Sequence, residues 1–526
     1  MLARFDNSYA TLPERFYARL APEPVSTPAI IRVNDALAEQ LGLDPAWLRS
    51  AQGAQVAAGN QVPDGAAPIA TVYAGHQFGH FNPQLGDGRA ILLGEVIDRH
   101  GQRYDLQLKG SGPTPYSRGG DGRSPLGPVL REYIISEAMH ALGIPTTRSL
   151  AAVTTGERVL RDSALPGAVL TRVAKSHIRI GTCEYFAARE DSDALALLVD
   201  HVVRRHYPEI AAPGGSQTGP TEETARPNTA DAALALFKAV ALRQAELVAK
   251  WQLVGFIHGV MNTDNMLLSG ETIDYGPCAF MDAYDPQAVF SYIDRRGRYA
   301  YRNQPGVAQW NLTCLARALT PLLNTDDPQV VSAVQKTIDA FPAAYARAYS
   351  FGMARKLGIT PFRDGDAELV DDLLRLMHEE GADYTLTFRR LSELAAPAPD
   401  SQPDTEPNTP DSEDAAEATG AKTQRSVAAI ADLPAAFEPW LARWRARYAN
   451  DPEPAADRKR AMLANNPAII PRNHQVDKAI RDAEQAGDFT HFHKLVDALA
   501  DPYTLRAEFA RPPEPDERVS VTFCGT

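Results

Sequence analysis

Cysteine is scarce in this chain. Cys183, Cys278, Cys314 and Cys524 are the only four in 526 residues. So few, so widely spread, make no disulfide framework, and their spacing fits no zinc motif. Long apolar runs are also missing. None approaches the ~20 residues of a membrane span. The opening MLARFDNSYATLPERFYARL has no apolar core of a secretory signal. The expectation is a cytoplasmic protein with no membrane partner. Basic residues are outnumbered too, and the formal net charge is −13. That argues against nucleic acid as a partner. Seven acids and no Lys or Arg fall within PAPDSQPDTEPNTPDSEDAAE (397–417), so about half of the excess is local.

What is present is ordinary for a globular protein: 44% hydrophobic and 23% charged residues. The length allows two to four units. Two stretches are too poor in large apolar residues to bury a core, APGGSQTGPTEETARPNTA (212–230) and roughly 395–428. Both read as surface insertions or linkers. The expected division is a small lobe with an N-terminal extension (1–165), a helical lobe (166–394), an acidic linker (395–428) and a C-terminal helical region with a cysteine-containing tail (429–526).

AILLGEVI (90–97) and RYDLQLK (103–109) read as strands joined by the hairpin signal DRHG. In the second strand Leu106 and Leu108 point one way. Asp105, Gln107 and Lys109 point the other. A turn-rich loop follows. GPVLREYIISEAMHAL then reads as a helix, with Leu130, Ile134, Ala138 and Ala141 on one stripe and Pro128 in its first turn. A long helix carrying Leu236, Val240, Leu247 and Trp251 runs into HGVMNTDNM (258–266), and the short strand pattern TIDYG (272–276) follows. This order predicts an α+β fold of two lobes, protein-kinase-like, with a small sheet-containing lobe over a helical one.

HGVMNTDNM has the frame of a kinase catalytic loop, H-x-D-x-x-x-x-N, with His258 and Asn265 in place. Val260 stands where the catalytic aspartate belongs, and the only acid in the loop is Asp264. Asp264 suits a proton acceptor or a capping residue. Asn265 and Asp274 offer hard oxygens suited to Mg²⁺, though D-Y-G also suits a plain turn. QLGDGRA (84–90) lets backbone amides approach phosphate at Gly86 and Gly88, or makes an ordinary β-turn. Lys109 is a strand-borne cation whose partner is Glu132 or Glu137, unless it sits on a solvated face. Arg172 and Arg179 suit a triphosphate or a charged surface.

The long motifs YAGHQFGHFNPQLGDGRA, LQLKGSGPTPYSRGGDGRSPL, VLTRVAKSHIRIGT, HGVMNTDNM and TIDYGPCAFMD resemble the selenoprotein O (YdiU) family. Together with GRYAYRNQPGVAQWNL and the late NNPAIIPRNHQVDKAI, the likeness covers nearly the whole chain. The resemblance implies a protein adenylyltransferase. ATP sits flipped relative to kinases, and AMP moves to a Ser, Thr or Tyr hydroxyl of a protein as pyrophosphate leaves. It assigns Asp264 as proton acceptor and Asn265 and Asp274 as Mg²⁺ ligands. Lys109, Arg172, Arg179, Gly86, Gly88, Arg89, Asp121, Gly122 and Asp274 form the nucleotide site, with Glu132 as the partner of Lys109. UTP with Mn²⁺ is also described for relatives. The remaining alternatives are a kinase transferring the γ-phosphate and a nucleotide-binding pseudokinase. The resemblance further implies a link between a C-terminal cysteine and one after DYG. Cys524 holds the first place, AVFSYID (288–294) has no cysteine, and Cys278 is the nearest candidate.

Overall fold

The computed structural model describes residues 4–211, 229–396, 433–449 and 451–523. The acidic stretch 397–417, nearly all of 212–230 and Cys524 lie outside the described residues.

Seven strands form one antiparallel path. Numbered along the chain, they are β1 (Tyr17–Arg19), β2 (Ala29–Val33), β3 (Ile69–Thr71), β6 (Ala90–Ile97), β7 (Arg103–Lys109), β9 (Arg148–Leu160) and β10 (Ala164–Ala174). Their order across the sheet is β1-β3-β6-β7-β10-β9-β2, and the short β8 (Ser124–Pro125) adds to β10. β4 (Gly75–Gln77) and β5 (His80–Asn82) make a separate hairpin. The hairpin expected around DRHG is β6–β7, in register from Ala90↔Lys109 to Ile97↔Arg103. At the sheet's far edge Ala29 pairs with Thr154. β10 is hydrogen-bonded to both β7 and β9. The expected division at 165/166 falls inside β10, and this pairing ties residues up to Ala174 to the sheet.

The two faces of β7 are both buried. Leu106 and Leu108 pack with Leu37, Leu41, Leu93 and Val169. Asp105, Gln107 and Lys109 lie on the other face, and that face is covered too. A solvated surface for Lys109 is thereby corrected: Asp105 accepts from His177 (2.9 Å) and Arg205 (2.5 Å), and Gln107 accepts from Arg172 (3.3 Å).

The helix Leu126–Ala141 is buried along most of its length, including Leu130, Ile134 and Ala138 of the expected stripe. The C-terminal helices Asn473–Ala486 and Thr490–Leu499 cover it. Tyr133 meets Phe492 edge-on at 5.6 Å, and Glu484 accepts from the Gly127 amide at 3.0 Å. Each large apolar side chain buried there contributes roughly 1.5–3 kcal/mol. The C-terminal region therefore braces the helix that carries Glu132. No described helix is long and apolar enough to cross a membrane.

The helix Thr229–Leu253 leads into β11 (Phe256–Ile257), which pairs with β12 (Ala279–Phe280). The catalytic-type loop and TIDYG are the excursion between these two strands. TIDYG is not a strand. Only Thr272 makes bridges, to Thr146 and Met266, and Asp274 has φ 64°. A strand cannot continue through a left-handed residue. VLTRVAKSHIRIG is a strand only in its first part: β10 ends at Ala174, and Arg179 is the N-cap of the helix Ile180–Ala187.

Candidate active site

A cavity of about 810 Å³ opens between the sheet and the loop 258–266, and all twelve residues expected at the nucleotide and metal site line it. Lys109 arrives at the end of β7 and Arg172 on the paired strand β10. Glu132 comes from the helix behind them. Lys109 Nζ is 2.5 Å from Glu132 Oε2, and Arg172 is 2.6 Å from Oε1. This settles the partner of Lys109 geometrically. Glu137, the other candidate, is committed to Arg148 at 2.7 Å.

Asp274 completes the cluster. Its Oδ1 accepts from Lys109 (3.2 Å) and Arg172 (2.8 Å), and its Oδ2 accepts from Arg179 (3.0 Å). Burial alone would raise the Asp274 pKa, but Arg172, Lys109 and Arg179 overcome it and hold the carboxyl well below its usual range. The same contest leaves Glu132 lowered: burial opposes ionisation, and Arg172 and Lys109 outweigh it. Truncating one partner of such a group leaves buried charge uncompensated, at about 3–5 kcal/mol. Glu132→Ala is expected to lose stability on that scale in urea unfolding of the full chain. A loss under ~1 kcal/mol would show that Lys109 and Arg172 do not depend on it.

Asp264 sits in the one-turn 3₁₀ segment Thr263–Asn265. Its main-chain carbonyl accepts from Arg179 at 2.6 Å, so one guanidinium joins the backbone of Asp264 to the carboxylate of Asp274. Burial raises the Asp264 pKa to about 6, against the lowering pull of Arg179. A general base works best with its pKa near the working pH. Asn265 donates its amide to the carbonyl of Val260 at 3.0 Å, which turns its side-chain oxygen the other way. That oxygen and the Asp274 carboxylate are the hard donors Mg²⁺ prefers, so the residues fit the ion. His258 is a tie between the two motifs. It bonds the Ile273 carbonyl through Nε2 (2.9 Å) and accepts from the Val260 amide through Nδ1.

The loops close the cavity with backbone. Gly86 has φ 106°, and a Cβ there would meet the Tyr116 ring at 2.6 Å. Gly122 has φ 65°, and a Cβ would lie 2.0 Å from the Gly112 carbonyl oxygen. Both positions require glycine. Gly88 and Arg89 line the wall beside them. Asp121 is exposed and bonded to Arg161 at 2.9 Å. Cys278 is fully buried, donates to the Tyr275 carbonyl, and burial pushes its thiol up to about 12. The tail passes close by: Thr522 donates to the Pro277 carbonyl at 2.6 Å. Cys524, the expected partner of Cys278, lies outside the described residues.

Several residues at the site carried no signal in the spacing of the sequence. Tyr73 lies under the Arg179 guanidinium at 4.5 Å. Asp87 is buried and accepts from Thr71 at 2.7 Å. Gln77 donates to Asp264 at 3.1 Å. All three fall in or near the long motif 73–90, but nothing in that motif alone told which side chains face the cavity. Behind the loop, Glu184 accepts from Thr263 and contacts His76, both at 2.5 Å, with Cys314 alongside. Burial pushes the Cys314 thiol up to about 12, and it is the Glu184 bond to Thr263 that braces the loop. A second cavity, of about 740 Å³ near Asp282, Asp383 and Arg518, contains none of the expected residues.

Comparison with known proteins agrees with the motifs. The family model for "Protein adenylyltransferase SelO" matches residues 1–500. A "Protein nucleotidyltransferase YdiU" of Bradyrhizobium diazoefficiens is 55% identical over 525 residues, covering 99% of both chains. That of Rhodopseudomonas palustris strain BisB18 is likewise 55% identical, with the same coverage. The relative from Methylorubrum populi is 54% identical over 528 residues, again covering 99% of each. With the family model spanning nearly the whole chain and these relatives matching end to end, this protein belongs to the SelO family of protein adenylyltransferases.

Proposed function

We propose that the chain transfers AMP from ATP to Ser, Thr or Tyr hydroxyls of proteins, within a kinase-like two-lobed fold and in the cytoplasm. The observation that carries this reading is the substitution within the loop. Val260 fills the place of a kinase base, while Asp264, a buried carboxylate four residues on, lines the same cavity as the cation cluster. The Lys109–Glu132 pair and the bond of His258 to the Ile273 carbonyl, which joins the two motifs, support the kinase-like architecture. We divide the lobes after Ala174, because β10 belongs to the sheet.

The acceptor hydroxyl oxygen attacks the α-phosphorus of ATP. A new P–O bond forms to the protein, the bond from the α-phosphorus to the bridging oxygen breaks, and pyrophosphate leaves. Asp264 takes the hydroxyl proton. Lys109, Arg172 and Arg179 present three cations against the carboxylates of Glu132 and Asp274, and stabilise charge developing on the phosphates. Asn265 and Asp274 would hold Mg²⁺, which when bound neutralises phosphate charge and orients the triphosphate. Mn²⁺ has the same oxygen donors available, and UTP presents the same phosphates.

ATP labelled at the α- or the γ-phosphate, incubated with this protein and a mixed Ser/Thr/Tyr peptide pool, tests the reading. Label is expected on peptide from the α position only. Transfer from the γ position would make the protein a kinase. ATP binding without transfer of either label would make it a pseudoenzyme.

A further inference from the structure

The hairpin β4–β5 stands apart from the main sheet. It pairs Gly75↔Asn82, His76↔Phe81 and Gln77↔His80 around a two-residue turn, with Phe78 at φ 51° and Gly79 at φ 86°. Two consecutive left-handed residues are the mark of a tight turn that matches strand twist. One strand of this hairpin and the turn that follows it grip three consecutive residues of the loop. The Phe78 amide donates to Asn262 Oδ1 (3.1 Å) and the His76 amide to Thr263 Oγ1 (2.7 Å). The Gln77 side chain donates to Asp264 Oδ2 (3.1 Å). The direction of that bond is fixed by chemistry, since an ionised carboxylate only accepts and must face the amide nitrogen.

The other carboxylate oxygen meets the hairpin as well. A Cβ built on Gly75 would lie 2.7 Å from Asp264 Oδ1 and 3.0 Å from its Cβ. Gly75 does not have a positive φ, so its backbone would accept alanine. What excludes a side chain there is Asp264 itself. The carboxylate is thus boxed, with a donor on Oδ2 and the bare backbone of Gly75 against Oδ1. Oδ1 is buried and has no hydrogen-bond partner, and Gln77 is the side chain that donates to the carboxylate.

We infer that Gln77 is a positioning residue for nucleotidyl transfer, holding the Asp264 carboxylate in the orientation that receives the acceptor proton, with Gly75 leaving the space this orientation needs. The inference rests on the reading of Asp264 as the base. Gln77 acts on the base rather than on the nucleotide, so its loss appears in turnover and not in ATP affinity.

The test uses the full chain, α-labelled ATP and the peptide pool. Gln77→Met keeps the length of the side chain and removes the donor. Gln77→Glu keeps the shape and sets a second carboxylate against the first. Gly75→Ala pushes on the opposite oxygen. A misplacement of about 1 Å at a reacting group costs on the order of 10²-fold. Each variant is expected to lose roughly 10- to 100-fold in kcat, per folded protein, with KM for ATP within about threefold of wild type. A merely structural role would spread to the nucleotide pocket and raise KM. Wild-type kcat in Gln77→Met, or a raised KM with unchanged kcat, overturns the inference. Asp264→Ala, measured alongside, separates the two readings. If it is inactive while Gln77→Met turns over normally, only the role of Gln77 falls. If Asp264→Ala itself turns over normally, the base assignment falls and takes this inference with it.

Discussion

Replacing Asp264 by alanine is expected to lower transfer by ~10²–10⁴ while ATP still binds. The separation follows from where the contacts are made. The hold of Arg179 on this residue is through the main-chain carbonyl, at 2.6 Å, and alanine keeps that carbonyl. The Asp264 carboxylate bonds Gln77 and makes no ion pair with the cluster of Lys109, Arg172, Glu132 and Asp274. Removing it therefore leaves the cations of that cluster as they are. It also relieves a buried acid whose pKa burial has raised to about 6, so the fold should not suffer. Isothermal titration with ATP and Mg²⁺, set against single-turnover transfer of the α-label, reads the two effects separately. Near-normal turnover would remove Asp264 from the chemistry.

Asp274→Ala is expected to abolish activity and erase the dependence of nucleotide binding on Mg²⁺. Here the carboxylate is the anchor of the site. It meets Lys109, Arg172 and Arg179 within 3.2 Å, and no water can replace its charge. Its loss leaves Glu132 as the one carboxylate still paired with Lys109 and Arg172, so metal-free ATP should bind the variant at least as well as wild type. Alanine at φ 64° adds backbone strain of about 1–2 kcal/mol. Asp274→Asn is the companion variant, because asparagine tolerates that conformation and removes only the charge. A Mg²⁺ titration of ATP binding for wild type and both variants decides it. An unchanged metal response in either would reduce Asp-Tyr-Gly to a structural turn.

Local signals carried the parts of the fold that are local. Alternation and the turn residues of DRHG placed β6 and β7 residue for residue, and the stripe of Leu130, Ile134 and Ala138 placed the helix Leu126–Ala141. Alternation also gave Lys109 its face. It could not say whether that face was wet, because the cover comes from residues such as Arg205, 100 positions from its partner Asp105. TIDYG failed as a strand for a related reason. Thr, Ile and Tyr favour extended backbone, but contacts with Lys109, Arg172 and Arg179 hold Asp274 in a conformation propensity disfavours. The hairpin 75–82 escaped notice since its turn is Phe-Gly rather than a familiar Asn-Gly. Its partner loop lies 187 residues away along the chain, the separation of Gln77 from Asp264.

The pairing of Ala29 with Thr154 sets a timetable for making this protein. Those residues are 125 apart, so at 5–20 residues per second the outer strand β2 waits roughly 6–25 s after synthesis for its partner. The wait at the cavity is longer. Pro277 lines it, and the hydroxyl that bonds the Pro277 carbonyl belongs to Thr522, 245 residues later. A ribosome needs a further ~12–50 s to reach it. For most of that interval the helices Asn473–Ala486 and Thr490–Leu499 are not yet made either, so the helix that carries Glu132 is uncovered while the wall at Pro277 is unfastened, and the cavity is finished only when the last residues of the described chain emerge.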